Sequence, residues 1–266
     1  MSGKGGSAMT DVLLEETLEG VRILRLNRPQ KKNALSSELV SAIIHAIEAA
    51  TDDDAVRVVG VIGEGDSFCS GADLSDTKPA APGVRMDEQI IRLVKGICVD
   101  CEKPVIAGID GIAIGAGVSL AMMADMRLAS SKARFHPGYA RAGTSPDCGL
   151  SWTLPRAVGH ERAMRFLLEQ EMLGADAALE MGLVGEVVDA DSFEEAFFAY
   201  CRKIAAVAPL AARQTKRLVT RVGLLDDLES HLRDELKYAM RGLKSADGRE
   251  AVRAIFEKRK PEFTGR

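Results

Sequence analysis

Two short glycine-centred segments constrain this chain more than any other feature. Residues 67–73 read Ser-Phe-Cys-Ser-Gly-Ala-Asp, and residues 110–117 read Asp-Gly-Ile-Ala-Ile-Gly-Ala-Gly. Each follows an apolar, β-branched run, residues 58–62 and 105–109, that predicts a buried strand. Because the residues of both turns are too small to cover their own backbone, peptide N–H groups remain free to bind an oxygen that gains negative charge. Either segment alone indicates only a tight turn, but the pair predicts two donors for one oxygen.

The composition is that of an ordinary soluble protein. At 266 residues, with 46% hydrophobic and 28% charged residues, the chain is long enough to bury a full core. The net charge of −4 gives no indication of a nucleic-acid or membrane surface. The longest uncharged apolar stretch, residues 111–124, is too short to cross a bilayer. Five cysteines, an odd number in a chain of this size, favour a reducing compartment, so we expect a cytoplasmic protein.

Alternating strand and helix patterns predict a layered α/β fold before Pro155. The spacing of apolar residues predicts a hairpin that turns at residues 19–20 and helices over residues 37–50, 87–99 and 118–124. Beyond Pro155 the pattern is mostly helical, and residues 185–188 alone look extended. The helices predicted there cover residues 160–169, 174–181, 192–206, 209–222, 224–240 and 246–258.

These patterns divide the chain into three parts. Residues 1–10 are expected to be a flexible leader or a tag remnant. Residues 11–200 form the predicted α/β core, and residues 201–266 form a helical C-terminal region that packs on the core and on other subunits.

Cysteine and histidine side chains can take part in chemistry or serve the structure alone. Cys98 and Cys101 form a C-x-x-C motif, but the chain offers neither a second such pair nor a nearby histidine pair for a zinc site. The motif also ends a predicted helix, where a thiolate is not stabilised, so we interpret both residues as incidental thiols. His136 follows a segment that heads back toward the glycine turns, and both a structural role and a role in the site remain open for it.

Asp147 is the best ionisable candidate. It lies in an uncharged loop, residues 143–152, beside Cys148 and near Trp152. A carboxylate in such surroundings loses hydration, which raises its pKa toward the range useful for moving protons. The alternative is a helix N-cap, a common structural role for aspartate. The residues alone do not decide between these roles.

Taken in order, the motifs resemble the crotonase (enoyl-CoA hydratase/isomerase) superfamily over residues 12–263. Besides the two glycine turns, the resemblance rests on residues 26–29 (Leu-Asn-Arg-Pro), 33–35 (Asn-Ala-Leu), 121–125 (Ala-Met-Met-Ala-Asp), 154–159 (Leu-Pro-Arg-Ala-Val-Gly) and 178–187. It implies an α/β spiral of ββα units with a helical C-terminal trimerisation region, assembled as a homotrimer or hexamer. It also implies an acyl-CoA thioester substrate, and no metal or redox cofactor.

The resemblance also implies roles for individual residues. The thioester oxygen would lie between the backbone N–H groups of Ala72 and Ala116. The basic region near the CoA phosphates is matched by one arginine and two lysines: Arg28, Lys31 and Lys32. The other substrate-binding positions are Ala34, Gly71, Asp73 and Leu74 in the wall of the CoA channel, Tyr139 in the site, and Ile255 and Lys258 in the last helix. Lys258 matches a lysine that approaches CoA from a neighbouring subunit, whereas Ile255 stands where a phenylalanine is usual.

Two further departures bear on the reaction. Hydratases of this superfamily carry two glutamates that activate water, and these positions hold Ser119 and Tyr139 here. A neutral hydroxyl cannot act as a general base near pH 7. Asp147, in contrast, matches the aspartate with which related isomerases move protons. The resemblance therefore implies that an enoyl-CoA double bond shifts from position 3 to position 2, with Asp147 as the proton shuttle.

Three alternatives remain open from the sequence. The first is a hydratase with an atypical site, in which Asp147 activates a bound water. The second is a dehalogenase-like hydrolase, in which Asp147 attacks an aromatic ring. The third is an acyl-CoA-binding protein without catalytic activity that kept the fold after losing both glutamates.

Overall fold

The structure, a computed structural model, describes residues 12–76, 85–217, 219, 228–259 and 261–262. Its strands are β1 (Leu13–Leu18), β2 (Val21–Leu26), β3 (Val58–Gly63), β4 (Ser67–Cys69), β5 (Val105–Ile109), β6 (Ile112–Ile114), β7 (Met126–Ser130), β8 (Arg134–His136), β9 (Leu173–Gly174) and β10 (Glu186–Val188). Its helices are α1 (Ser37–Asp52), α2 (Met86–Lys95), α3 (Ala116–Met123), α4 (Leu150–Val158), α5 (His160–Glu169), α6 (Ala175–Met181), α7 (Phe193–Ala205), α8 (Pro209–Lys216), α9 (Leu228–Lys244) and α10 (Ala246–Phe256).

The described strands form two sheets. The larger has the order β1-β2-β3-β5-β7-β10, and the smaller has the order β4-β6-β8-β9. β1 and β2 form an antiparallel hairpin, which Glu19 and Gly20 close at positive φ. The other neighbours in the larger sheet pair in parallel, as do β4, β6 and β8. Parallel pairs need crossover connections, and α1, α2 and α3 supply them.

A repeated unit brings the two glycine turns together. A strand of the larger sheet is followed by a short strand of the smaller sheet and then by a helix: β3, β4 and α2 form one copy, and β5, β6 and α3 form the next. Because β4 and β6 are parallel neighbours, the turns at their carboxyl ends lie side by side. Only glycine fits at this approach: a Cβ on Gly117 would lie 2.1 Å from the carbonyl oxygen of Cys69, and one on Gly111 would lie 1.9 Å from that of Asp66.

The core has two parts. The main cluster of buried side chains lies between the sheets and helices such as α1, α3 and α4. A smaller cluster covers the opposite face of the larger sheet, where α7 packs Phe193 and Phe197 onto it. Glycines make room for the second ring, since a Cβ on Gly108 would lie 2.6 Å from Phe197. The α/β architecture with parallel sheets that was expected is confirmed.

The differences from the sequence expectations lie mostly in short elements. Residues 67–69 and 112–114, which were assigned to the turns, are the strands β4 and β6, and β7, β8 and β9 were not predicted. Such strands are too short for an alternating pattern to identify them. The helix predicted over residues 87–99 leaves the α form after Lys95 and continues as a π turn. Helix α4 was also missed, because Pro155 lies inside it.

Some expectations meet the limits of the described residues. The leader at residues 1–10 lies outside them, as do residues 220–227 of two predicted helices and most of the loop between residues 76 and 86. The domain boundary expected between residues 200 and 201 lies within α7. None of the described helices has both the length and the hydropathy needed to span a bilayer.

Candidate active site

The backbone N–H groups of Ala72 and Ala116 belong to the two glycine turns, which adjoin. Leu35 N donates to the carbonyl oxygen of Gly71 at 2.8 Å, and Asp73 N donates to that of Leu35 at 3.0 Å. Ala72 lies between these bonds, so its own N–H faces away from Leu35. Gly71 has a φ of +99°, and a Cβ there would lie 3.5 Å from Ala116 N. The N–H of Ala116 therefore lies beside Gly71, the residue that precedes Ala72.

Both N–H groups are available to a ligand. Ala116 is the first residue of α3, where an N–H has no partner within the helix. Neither N–H has a hydrogen-bond partner among the described residues. The positive end of the α3 dipole adds to the potential at this point. The pair is therefore suited to stabilise an oxygen that gains negative charge.

A basic turn, residues 28–33, runs alongside the first glycine turn, and the side chain of Asn33 holds it in place. Asn33 is fully buried, although its φ of +53° is uncommon for a residue other than glycine. Its side chain accepts the N–H of Arg28 at 2.8 Å and donates to the carbonyl oxygens of Glu64 and Ser67 at 2.9 and 2.7 Å. These bonds attach the turn to β3 and β4. In the sequence, Asn33 is only part of the Asn-Ala-Leu motif, and no local pattern indicates this role, which depends on contacts more than 30 residues away.

Lys31 and Lys32 project from this turn. Both side chains are exposed, and neither forms an ion pair with a described residue. The backbone carbonyl of Lys32 accepts the N–H of Ser70 at 2.9 Å, so the turn is fixed to the first glycine turn. The two ammonium groups are therefore positioned to bind an anionic part of a ligand that reaches the amide pair.

Arg28 differs from the two lysines because its guanidinium is already bound. Nη2 donates to Oδ2 of Asp73 at 2.7 Å, and Nη1 donates to the carbonyl oxygen of Ala34. The two charged side chains are only 15% and 7% exposed. Hydrogen bonds from Ser75 and then from Arg28 lower the pKa of Asp73 to about 2. Arg28 and Asp73 thus connect the basic turn to the first glycine turn.

Asp147 lies in a hydrogen-bonded cluster with Ser119 and Tyr139. The hydroxyl of Tyr139 donates to Oδ1 of Asp147 at 2.8 Å. The hydroxyl oxygens of Ser119 and Tyr139 are 2.6 Å apart, and Ser119 Oγ also lies 3.2 Å from the backbone carbonyl oxygen of Asp147. Ser119 is one turn beyond Ala116 on the same face of α3. The cluster therefore contacts α3, the helix whose first N–H belongs to Ala116.

The surroundings of this cluster shift two pKa values. Burial raises the pKa of Asp147 above its usual range, and hydrogen bonds from Tyr139 and Cys148 oppose that rise. Burial, followed by the charge of Asp147, also raises the pKa of Tyr139 well above its usual value. Tyr139 therefore remains a hydrogen-bond donor wherever Asp147 titrates. Asp147 keeps some accessible surface, which a base that meets a substrate requires.

The alternative role of Asp147 as an N-cap is wrong. The N-cap residue of α4 is Gly149, and no side chain accepts a hydrogen bond there. Only the backbone carbonyl of Asp147 takes part, accepting the N–H of Leu150 at 3.1 Å. Cys148, between them, has a φ of +52°. The loop thus turns sharply after Asp147 and leaves its carboxyl on the side of the cluster.

Ile255 lies in the last turn of α10, and Lys258 lies two residues beyond the end of that helix. They line a groove of about 820 Å³ together with His136 and Arg141 of the same chain. Nε2 of His136 lies 2.9 Å from the backbone carbonyl oxygen of Gln170, and burial lowers the pKa of this histidine. The described contacts give His136 a structural partner and no bond to Asp147. The approach of Lys258 to CoA from a neighbouring subunit remains a prediction.

The remaining candidates are placed as follows. Ala34 is buried, whereas the side chain of Leu74 is half exposed beside the first glycine turn. Cys98 and Cys101 are free thiols whose nearest partners are backbone carbonyl oxygens, and burial raises the pKa of Cys98 to about 12. These contacts agree with the interpretation of both cysteines as incidental thiols. Among the described residues, no three His, Cys, Asp or Glu side chains cluster as a metal site would require.

Comparison with known proteins places this chain in a family. The enoyl-CoA hydratase/isomerase family model matches residues 16–266. A probable enoyl-CoA hydratase of Rhodobacter capsulatus is 37% identical over 255 residues, which cover 94% of this chain and 97% of that protein. A 1,2-epoxyphenylacetyl-CoA isomerase of Escherichia coli is 31% identical over 263 residues, which cover 97% and 100%. A crystal structure of an enoyl-CoA hydratase/isomerase from Pseudoalteromonas atlantica superposes with a TM-score of 0.88 at 34% identity, covering 95% of this chain and 100% of that one.

The chain belongs to the enoyl-CoA hydratase/isomerase family, the crotonase superfamily that its motifs resemble. It is therefore a member of an enzyme family, and an acyl-CoA substrate fits that family. The names of its relatives include both hydratases and isomerases, so the family alone does not choose between the two reactions.

Proposed function

We propose that this protein isomerises an enoyl-CoA, moving the double bond from position 3 to position 2 with Asp147 as the proton shuttle. The observation that carries the proposal is the cluster around Asp147. Its carboxyl accepts from the hydroxyl of Tyr139, and that phenol contacts the hydroxyl of Ser119, which lies one turn beyond Ala116 on α3. The site therefore offers one base and no second carboxylate within this cluster to hold a reacting water.

The proposed reaction needs only that base. The Asp147 carboxylate removes a proton from C2, and the electrons of the C–H bond move toward the thioester. Its oxygen carries the resulting negative charge between the N–H groups of Ala72 and Ala116. The same carboxyl, now neutral, donates its proton to C4, and the double bond forms between C2 and C3. No water is added and no electrons leave the substrate, so the reaction as written requires no cofactor beyond the CoA of the substrate itself.

The pKa of the base and the amide pair both support this chemistry. A carboxyl whose pKa lies above the usual aspartate range binds a proton more readily during transfer than an exposed one. An oxyanion donor typically contributes on the order of 100- to 1000-fold in rate. Lys31 and Lys32 would bind the CoA phosphates. The name of the Escherichia coli relative, a CoA-ester isomerase, agrees with this class of reaction.

The proposal is tested with Asp147→Asn and a 3-enoyl-CoA, following the absorbance of the conjugated product. We expect the rate to fall on the order of 100- to 10,000-fold, because the general base is lost, while calorimetry still detects binding of the CoA ester. Asp191→Asn, at a fully exposed carboxylate elsewhere, is the matched control. Full activity of Asp147→Asn would remove this residue from the mechanism.

A hydratase is the second candidate, because the Rhodobacter capsulatus relative bears that name. Crotonyl-CoA separates the two reactions, since hydration destroys the conjugated thioester and its absorbance. We expect crotonyl-CoA to be stable in the presence of the enzyme. Assembly as a homotrimer or hexamer also remains a proposal, which light scattering of the purified protein tests.

A further inference from the structure

We propose that Tyr139 is a positioning residue whose hydroxyl holds one oxygen of Asp147, so that the other oxygen alone is presented to the substrate. This inference rests on the proposed function of Asp147 and goes beyond it. The phenol donates to Oδ1 at 2.8 Å. A carboxylate with one oxygen bound in this way has its rotation restrained, and Oδ2, which the phenol does not contact, is the oxygen presented to the substrate proton.

The position of the phenol is itself fixed from the other side. Its oxygen lies 2.6 Å from Ser119 Oγ, which also lies 3.2 Å from the backbone carbonyl oxygen of Asp147 and 3.5 Å from that of Gly115. Gly115 is the N-cap of α3, the helix whose first N–H belongs to Ala116. One chain of contacts therefore runs from α3 to the base: Ser119, one turn along α3 from Ala116, donates its single hydrogen to the phenol oxygen, and the phenol donates to Asp147. This chain sets the distance between the base and the oxyanion, on which proton removal at C2 depends.

Burial shields both hydroxyls of the arrangement from solvent. Ser119 is fully buried and Tyr139 is 6% exposed. Both hydroxyls already have partners within the cluster, so neither needs a water to satisfy it. Oδ1 of Asp147 is occupied by the phenol. A water that approached the carboxyl would have to compete with the substrate for Oδ2, which favours proton transfer within the substrate over hydration.

Few groups act on the Asp147 carboxyl, which makes the effect of Tyr139 measurable. The titratable side chains that face it are Tyr139, from the segment after β8, and Cys148, from its own loop. The hydrogen bonds of both stabilise the charged form, and no cationic side chain in the described part of the chain contributes to its pKa. Removing the phenol hydroxyl leaves burial opposed by Cys148 alone. The carboxyl of such a variant should therefore hold its proton to a higher pH than that of the native enzyme.

The test compares Tyr139→Phe and Ser119→Ala with the native enzyme in the isomerisation of a 3-enoyl-CoA. For Tyr139→Phe we expect kcat to fall roughly 10- to 100-fold, the range of a hydrogen bond to a charged group. KM should change little, and the acid limb of the kcat/KM profile should move to higher pH. For Ser119→Ala we expect both changes in the same direction and smaller. Tyr200→Phe is the matched control, because the hydrogen bond that its hydroxyl makes among the described residues goes to Met126 Sδ of β7, and it should leave the profile unchanged.

The outcomes separate positioning from general structure. A Tyr139→Phe enzyme with the native kcat and acid limb would overturn the proposal, and so would a fall in kcat with no movement of the acid limb. If Tyr139→Phe does not fold, the acid limb of Ser119→Ala decides in the same way. A failure of the proposed function is recognised separately, because full activity of Asp147→Asn would show that Asp147 is not the base. An inactive Asp147→Asn with an unchanged Tyr139→Phe refutes the positioning role alone.

Discussion

Tyr139 and Asp147, eight residues apart in the chain, are joined by a 2.8 Å hydrogen bond from the phenol to the carboxyl. The short helical turn at residues 140–142 between them lets the loop fold back, so both side chains reach α3. A buried acid with an elevated pKa is thereby held at one oxygen by a neutral donor. This arrangement has consequences for stability as well as for catalysis.

Asp147→Asn should be more stable than the native protein at neutral pH. Because the folded-state pKa of Asp147 is raised, the ionised form is less favourable in the folded than in the unfolded protein, and the loss of stability develops as the pH rises through the folded-state pKa. Asparagine carries no charge and still accepts from Tyr139. Urea denaturation between pH 4 and pH 8 should show an advantage of the variant that shrinks as the pH falls toward 4. A variant less stable than the native protein at pH 7 contradicts the burial cost.

Gly117→Ala should disrupt the approach of the two glycine turns. A Cβ there would lie 2.1 Å from the backbone oxygen of Cys69, so the start of α3 and strand β4 must move apart. Overpacking of this kind costs about 1–3 kcal/mol of unfolding free energy. The displaced donor at Ala116 should lower the isomerisation rate on the order of 100- to 1000-fold.

Gly96→Ala is the control for that substitution. The nearest atom to a Cβ on Gly96 is Ile47 Cγ2 at 3.9 Å, an ordinary contact. This variant should keep native activity and nearly native stability in urea. If Gly117→Ala matches it in both measurements, the close approach of the turns does not control the site.

Asp73 should contribute to acid sensitivity. Hydrogen bonds from Ser75 and Arg28 lower its pKa to about 2, so its stabilising contribution is present above the unfolded-state pKa, about 3.9, and is lost as the pH falls toward 2. Asp73→Asn should be less stable than the native protein at pH 7, with a smaller loss between pH 4 and pH 2. Thermal denaturation across this range tests the difference. Parallel curves for the two proteins would show that the carboxylate adds nothing to stability.

Lys31→Ala and Lys32→Ala should weaken substrate binding without changing the chemical step. Each exposed ammonium group contributes about 1 kcal/mol to a phosphate contact, so KM for a CoA ester should rise about fivefold for each variant. The salt dependence of KM should become weaker, while kcat stays constant. Lys132→Ala, which removes an exposed lysine paired with Asp191, should change neither value. An unchanged KM in the double variant places the CoA phosphates elsewhere.

The sequence was sufficient for the larger features of the fold. The hairpin at residues 13–26, helix α1 and helix α5 carry complete apolar patterns, and the structure has them within two residues of the predicted bounds. The short strands β4 and β6 were missed because three residues cannot establish a period. Their pairing nevertheless creates the site, since it places Gly71 beside Ala116.

The candidate site was predictable in part. The residues that form the amide pair and Asp147 stood out through their glycine-rich or uncharged surroundings. The bond between Tyr139 and Asp147 did not, because it depends on how the loop after β8 folds back against α3. Arg28 was expected to be free for a phosphate, and its pairing with Asp73 depends on a contact 45 residues away in the chain. Long-range polar partners of this kind leave no periodic signal in a sequence.

The fate of the substrate hydrogens tests the central claim most directly. A 3-enoyl-CoA is incubated with the native enzyme in deuterated water, and the product is analysed by mass spectrometry and NMR. A proton shuttle at Asp147 predicts a 2-enoyl-CoA with no added oxygen, in which new deuterium is confined to C2 and C4, the two carbons that exchange protons with the carboxyl. Accumulation of a 3-hydroxyacyl-CoA, or recovery of the 3-enoyl-CoA without exchange at C2, contradicts the account.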